Sequence, residues 1–141
     1  MERPLTTTAL PPAYVAGVGM TPTGKFLERS IKQLTADAVN AALADAGLAV
    51  ADIQAAYFSN ATQGVLEGQT MVRGQIALRP LGIEGIPVYN LENACASASS
   101  AFNLAVQAVR SGEVDVALAV GAEKMFCTDK AKMFSVFDGA W

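Results

Sequence analysis

Residues 114–120 read VDVALAV, apolar at every position but Asp115, and this run constrains the fold more than any other feature of the chain. A strand with no polar face to offer water belongs in a sheet covered on both sides, which is the habit of parallel sheets. Shorter apolar runs at 14–18 (YVAGV), 55–59 (AAYFS) and 87–91 (PVYNL) predict three earlier strands. Between them the spacing turns helical. From Thr35 onward, Leu34, Ala38, Ala42 and Ala46 share a face beside Val39 and Leu43, with Gly47 as the stop signal; this alanine-rich face is expected to lie close on a sheet. A second helix is predicted over about 70–81 before Gly82. A third follows residue 95, with Ala98, Ala101, Phe102, Ala105 and Val109 on its apolar face and Gly112 at its end. Strands alternating with helices imply a fold of class α/β, a mostly parallel sheet with helices on both faces.

The segments between are read as loops. MTPTGKF (20–26) and NATQGVLEGQ (60–69) are loops by their Pro, Gly and polar content. Residues 1–13, ending in Pro11 and Pro12, read as a mobile leader. The α/β unit spans 14–125, and after Met125 the pattern dissolves; 126–141 reads as the start of a loop region cut short at Trp141.

Several functions are argued against by what the chain holds. The net charge is -3 and the ten basic residues are scattered, without the footprint of a nucleic-acid binder. No apolar run approaches the ~20 residues of a membrane span, and the first residues do not have the layout of a secretory signal, so a cytoplasmic protein is expected. Two cysteines, Cys95 and Cys127, do not make a disulfide framework. Gly64, Gly68 and Gly74 do not fall in a dinucleotide-binding pattern. With 52% hydrophobic and only 16% charged residues, the chain has apolar surface to spare for a partner.

Cys95 falls where the third predicted strand hands over to the third helix, the end of an α/β sheet at which ligands bind. Unpaired N–H groups and the dipole at a helix amino terminus favour an anion, which activates a thiol and can hold a thioester oxyanion. Ala94, Ala96, Ser97 and Ala98 around it are small enough to admit an extended acyl chain. A lone free cysteine in an apolar α/β chain is usually a core residue, so local features alone favour that reading while leaving the catalytic one open. The 141 residues include no histidine, the side chain on which cysteine and serine nucleophiles usually depend for a base.

The stretch 92–125, ENACASASSAFNLAVQAVRSGEVDVALAVGAEKM, resembles the nucleophile segment of the thiolase superfamily: a cysteine followed by small residues and Ser, a helix, G-x-x-D, an apolar strand, then Gly and Glu-Lys-Met. TPTGKF, the helix ending DAGL and the NATQGVLEGQ loop fall in the family's order, so the resemblance covers nearly all of 14–125. Glu123, Lys124 and Met125, with the Glu-Asn-Ala-Cys approach, most resemble the lipid-transfer or sterol-carrier type. The resemblance implies an incomplete, amino-terminal half of a thiolase-like domain. It implies an acyl-CoA acyltransferase in which Cys95 carries the acyl group, with coenzyme A thioesters as substrates and no resident cofactor or metal. The family's activating histidine, its second cysteine and a further asparagine lie in the other half, so this fragment alone is expected to be inactive. A homo-oligomer or complementing subunit is expected, with pairing close to 87–91.

Two positions depart from the family pattern. Glu92 stands where many thiolases have Asn, and a carboxylate near Cys95 opposes thiolate formation unless it is paired or turned away. Ala98 stands where they have Gly. Lys25 and Arg29 are expected to be solvated rather than phosphate-binding, Glu123 and Lys124 to be structural and to pair with each other, and Cys127 to be an incidental thiol with no helix amino terminus behind it. A ketoacyl-synthase-like condensing enzyme and a non-catalytic lipid-binding or scaffolding subunit are the alternatives. TPTGKF and Glu-Lys-Met argue against the first, and the intact Cys95 segment against the second.

Overall fold

The computed structural model describes residues 9–140, so part of the expected leader, 1–8, and Trp141 lie outside the described residues. Three strands form a parallel sheet in the order β2-β1-β3, with β1 at Ala55–Ser59, β2 at Val88–Leu91 and β3 at Ala117–Gly121. Tyr57 pairs with Tyr89 on one side and Ala119 on the other, and Ser59 with Leu91 and Gly121, so all three carboxyl ends finish together.

Alternate residues of β1 point to opposite faces, and each face is covered. Ala56 and Phe58 meet Ile31, Val39, Ala77, Leu78 and Val120, which brings helices α1 (Ile31–Ala46) and α3 (Arg73–Leu78) onto one side. Ala55 and Tyr57 meet Ala101, Ala105 and Ala108 of helix α4 (Ser97–Ser111) on the other. Tyr57 also stacks on Tyr89, ring centroids 4.9 Å apart.

α1 begins earlier than its apolar period suggests. Ser30 accepts a hydrogen bond from the Gln33 N–H (3.2 Å), and Gln33 Oε1 accepts one from the Ser30 N–H (2.9 Å), a capping box that satisfies donors left free at a helix start. It ends as expected at Gly47, whose φ of +66° is the left-handed turn that Gly adopts without strain.

Three expectations need correction. The predicted strand at 14–18 is absent: the segment makes no ladder, and Tyr14 and Val18 stay exposed. It lies instead along the alanine stripe of α1, where Val18 N–H donates to Asp45 (2.9 Å) and glycines at 17 and 19 allow the backbone to touch the helix at Ala38 and Ala42. Ala38 and Ala42 therefore meet an extended chain, while Ile31, Leu34, Thr35 and Val39 turn inward. The most apolar run is not the covered strand either. β1 is buried at all five positions because it has a neighbour on each side, whereas β3, at an edge, buries only Val120. Finally, the polar loop at 60–69 contains a short helix, α2 (Gln63–Glu67), closed by Gly68 in the left-handed conformation. Residues 9–13 form no helix or strand, and Arg110 donates to the carbonyls of Leu10 and Pro11.

Candidate active site

The residues that follow the strand ends decide what this surface can do. β2 stops at Leu91, and Cys95 follows in a tight turn before α4, with its side chain exposed. Ala94, just before the cysteine, has φ +46°, a left-handed conformation that costs a non-glycine residue roughly 1–2 kcal/mol. Such strain persists only where neighbouring bonds over-determine it. Here Ala94 N–H donates to Glu92 (2.7 Å), Asn93 N–H donates to Ser97 Oγ (2.7 Å), and Ser97 Oγ–H donates back to the Ala94 carbonyl (2.7 Å). Ala96 N–H closes the turn on the Asn93 carbonyl (2.9 Å), and Asn93 Nδ2 reaches Ser100 (3.0 Å).

Cys95 therefore stands two residues before the first helical residue, Ser97. The N-cap, Ala96, brings no side-chain acceptor; the Ser97 N–H is taken by the Ala94 carbonyl (3.2 Å), and those of Ala98 and Ser99 have no side-chain cap. The Glu92 carboxylate is engaged by the Ala94 N–H and thereby shapes the turn. Ala98 faces Gly121 at the end of β3, where a methyl on Gly121 would lie 3.7 Å from that of Ala98 and 2.4 Å from Ser59 Oγ. Side-chain volume is thus tightly limited beneath the first turn of α4.

Around the turn, a polar network joins all three strand ends. Asn60, buried just past β1, donates its N–H to the Leu91 carbonyl (3.2 Å), and its Nδ2 to the Ala122 carbonyl (2.7 Å) and to Glu123 (2.8 Å). Its Oδ1 accepts from Gln63 N–H (3.0 Å), and its backbone carbonyl from Arg73 (2.9 Å). Glu123 also accepts from the N–H groups of Ala61 (2.8 Å) and Thr62 (3.1 Å) and from the Thr62 hydroxyl. Asn90 accepts from Gly74 N–H (2.6 Å) and donates to Gln75 (2.7 Å), tying β2 to α3. Asn60, Arg73 and Asn90 escaped the sequence reading, and Ser97 was noted there only for its small size; an Asn directly after an apolar strand run was the available signal for the first.

Glu123 is structural, as expected, but the expected pairing with Lys124 is not formed. Lys124 donates to the Leu27 carbonyl (3.1 Å), because Glu123 is already surrounded by donors from the β1 end. Arg29 pairs with Asp37 and lies over the Phe26 ring, and Lys25 lies over the Phe126 ring. Cys127 departs from expectation, since a helix does follow it: α5 (Lys130–Ser135) starts three residues beyond, capped by Asp129. The thiol of Cys127 donates to the Asp129 carbonyl (3.0 Å). Of the glycines, Gly74 presses α3 onto Phe58 and Val88, and Gly64 makes room for Arg73.

Two clefts open at this end of the sheet. One is lined by Asn60, Thr70, Arg73, Asn90 and Glu92, the other by Met20, Leu34, Gly121 and Glu123; Cys95, three residues beyond Glu92 in sequence, is in the lining of neither. Among the described residues there is no group of three or more Cys, Asp or Glu able to hold a metal ion, and no helix long and apolar enough to cross a membrane.

Comparison with known proteins supplies the family. The model of the thiolase amino-terminal domain matches residues 13–140. The chain is 40% identical over 122 residues to non-specific lipid-transfer protein-like 2 of Caenorhabditis elegans, covering 84% of this chain and 28% of that protein. It is 39% identical over 111 residues to an acetyl-CoA acetyltransferase of Methanocaldococcus jannaschii, covering 79% of this chain and 28% of the relative. The chain thus spans less than a third of these relatives' length. Among solved structures, 3-oxoacyl-[acyl-carrier-protein] synthase III from Aquifex aeolicus VF5 superposes with a TM-score of 0.62 at 21% identity, covering 70% of this chain and 31% of that one, a likeness of fold.

Proposed function

Since this chain belongs to the thiolase family through its amino-terminal domain, we propose that it is the acyl-accepting part of an acyl-CoA acyltransferase, with Cys95 as the nucleophile. One observation carries the reading: an exposed cysteine held in a strained turn between the carboxyl end of β2 and the uncapped amino terminus of α4. Strain and a cluster of hydrogen bonds around a thiol have no purpose in a buried, space-filling cysteine.

The chemistry follows from those parts. The Cys95 thiolate attacks the thioester carbonyl of an acyl-CoA, and the electron pair of the carbonyl moves onto oxygen. Free N–H groups in the first turn of α4 are the donors nearest in sequence for that oxyanion. Collapse of the intermediate expels coenzyme A as its thiolate, which takes a proton, and leaves the acyl group on the Cys95 sulfur. In condensation the acyl group then passes to the α-carbanion of another acyl-CoA; in the thiolytic direction the Cys95 thiolate attacks the 3-oxo carbonyl of a 3-oxoacyl-CoA, the carbon–carbon bond breaks to release an acyl-CoA carbanion that takes a proton, and the thiol of coenzyme A gives up its proton and carries the acyl group away. A group must remove the Cys95 proton and return one to the leaving thiol; histidine is the usual choice, and the 141 residues contain none. The base therefore comes from other residues of a longer chain or from a partner subunit. We assign 14–125 to the partial catalytic domain and 126–141 to the opening of the substrate loop region, in a cytoplasmic protein. Pairing of subunits along β2 completes the proposal, supported by its position at the sheet edge with Tyr89 exposed.

The test is reconstitution. The chain is mixed with a histidine-bearing complementing half of a thiolase, and thiolysis of acetoacetyl-CoA is followed by loss of its enolate absorbance. Turnover in the mixture that disappears with Cys95→Ala is expected. Equal turnover with Cys95→Ala would overturn the assignment.

A further inference from the structure

We propose that Asn60 is a positioning residue for Cys95: by joining the ends of all three strands, it fixes where β2 releases the chain into the turn that carries the thiol. Its N–H holds the Leu91 carbonyl, four residues before Cys95, while its side-chain amide holds the Ala122 carbonyl and Glu123 past β3. Arg73 fastens the Asn60 carbonyl to α3, and α3 in turn holds Asn90 through Gly74 N–H. Leu91 is thus clamped from the β1 side and its neighbour Asn90 from the α3 side. The residues that follow can adopt the left-handed step at Ala94 only if the strand delivers them at one place and angle. Asn60 suits this task chemically. It is only 3% exposed, and it needs a donor toward Ala122 and Glu123 together with an acceptor toward Gln63, a combination an amide supplies and a carboxylate does not.

Asn60→Asp keeps the shape and turns the donor into an oxygen facing two acceptors. The inference rests on the reading of Cys95 as the functional thiol, but its test reads the geometry of the turn and not acyl transfer. The full chain is alkylated with iodoacetamide, and the rates at Cys95 and Cys127 are measured separately by peptide mass, Cys127 serving as the internal reference. In Asn60→Asp, kept well below its melting temperature, the Cys95-to-Cys127 rate ratio is expected to fall on the order of threefold or more, as the thiol loses its place before the α4 amino terminus. Amide exchange across 92–100 is expected to speed up in the same variant. The exchange variant Asn60→Asp with Glu123→Gln, which returns an amide–carboxylate pair with the partners reversed, is expected to recover part of the ratio. Should Asn60→Asp fail to fold, the milder Glu123→Gln alone decides, with the same fall expected. An unchanged ratio in a folded variant, or equal acceleration at both thiols, would overturn the proposal. A changed ratio in a chain that never takes up an acyl group would sink the nucleophile reading and leave the positioning role standing.

Discussion

Gly74→Ala is a substitution for which helix propensity and packing predict opposite signs. In an exposed helix interior it stabilises by roughly 1 kcal/mol, because alanine loses less backbone freedom on folding. At position 74 the new methyl would stand 2.7 Å from Phe58 Cβ, 3.1 Å from its Cγ and 3.0 Å from Val88 Cγ1. Ordinary carbon contacts are about 3.5–4.0 Å, so the methyl intrudes by close to 1 Å. Phe58 Cβ is anchored to the backbone of β1, which is paired on both sides, so no rotamer change relieves the overlap. α3 has to move away from the sheet instead, and overpacking of this kind costs roughly 1–3 kcal/mol. Gly74 is also the second residue of a six-residue helix, where the propensity gain is at its smallest. Packing prevails, and the variant is expected to be less stable by about 1 kcal/mol, which for a domain of this size lowers Tm by roughly 3–4 °C. Urea unfolding checks it, as a lower midpoint at an unchanged slope. A midpoint equal to or above that of the parent chain would refute the close approach of α3 to Phe58.

Other perturbations report on separate parts of the molecule. Ser30→Ala removes the capping box of α1 and is expected to cost about 1 kcal/mol, read as a lower denaturation midpoint; no change would mean that α1 starts elsewhere. Burial, with smaller contributions from the Glu113 carboxylate and Tyr89, raises the Tyr57 phenol above its ordinary value, so the fold prefers it protonated. Stability from this group is complete below the unfolded value of about 10 and is lost as the pH rises through the folded one. Tyr57→Phe should therefore flatten the decline in unfolding free energy above about pH 10 while leaving it unchanged near neutrality; identical alkaline limbs would contradict the burial.

The strands at 55–59 and 87–91 and the helix after Cys95 were legible because apolar period and turn residues agree there. The strand at 14–18 was misread because YVAGV is apolar without being paired: strand propensity describes a surface that fits a sheet, and membership depends on a neighbour far away in sequence. The same non-local term decides that AAYFS and not VDVALAV is the covered strand, since sheet order is invisible to composition. At the candidate site the sequence pointed to Cys95 by its place after a strand. It did not reveal the left-handed Ala94, the return of Ser97 onto its own turn, or Asn60, because those features are hydrogen bonds formed only once three strand ends are side by side. Glu92 illustrates the limit: next to a cysteine it raises the question of repulsion, and only the folded turn shows its carboxylate engaged by the Ala94 N–H.

The most direct test of the account is whether Cys95 takes up an acyl group. Intact-mass spectrometry after incubation with acetyl-CoA or a long-chain acyl-CoA, alone and with a complementing half, is expected to show a single added acyl group that maps to Cys95 and is lost in Cys95→Ala. An adduct that persists in Cys95→Ala, or a folded chain that stays unmodified under every condition, would contradict it.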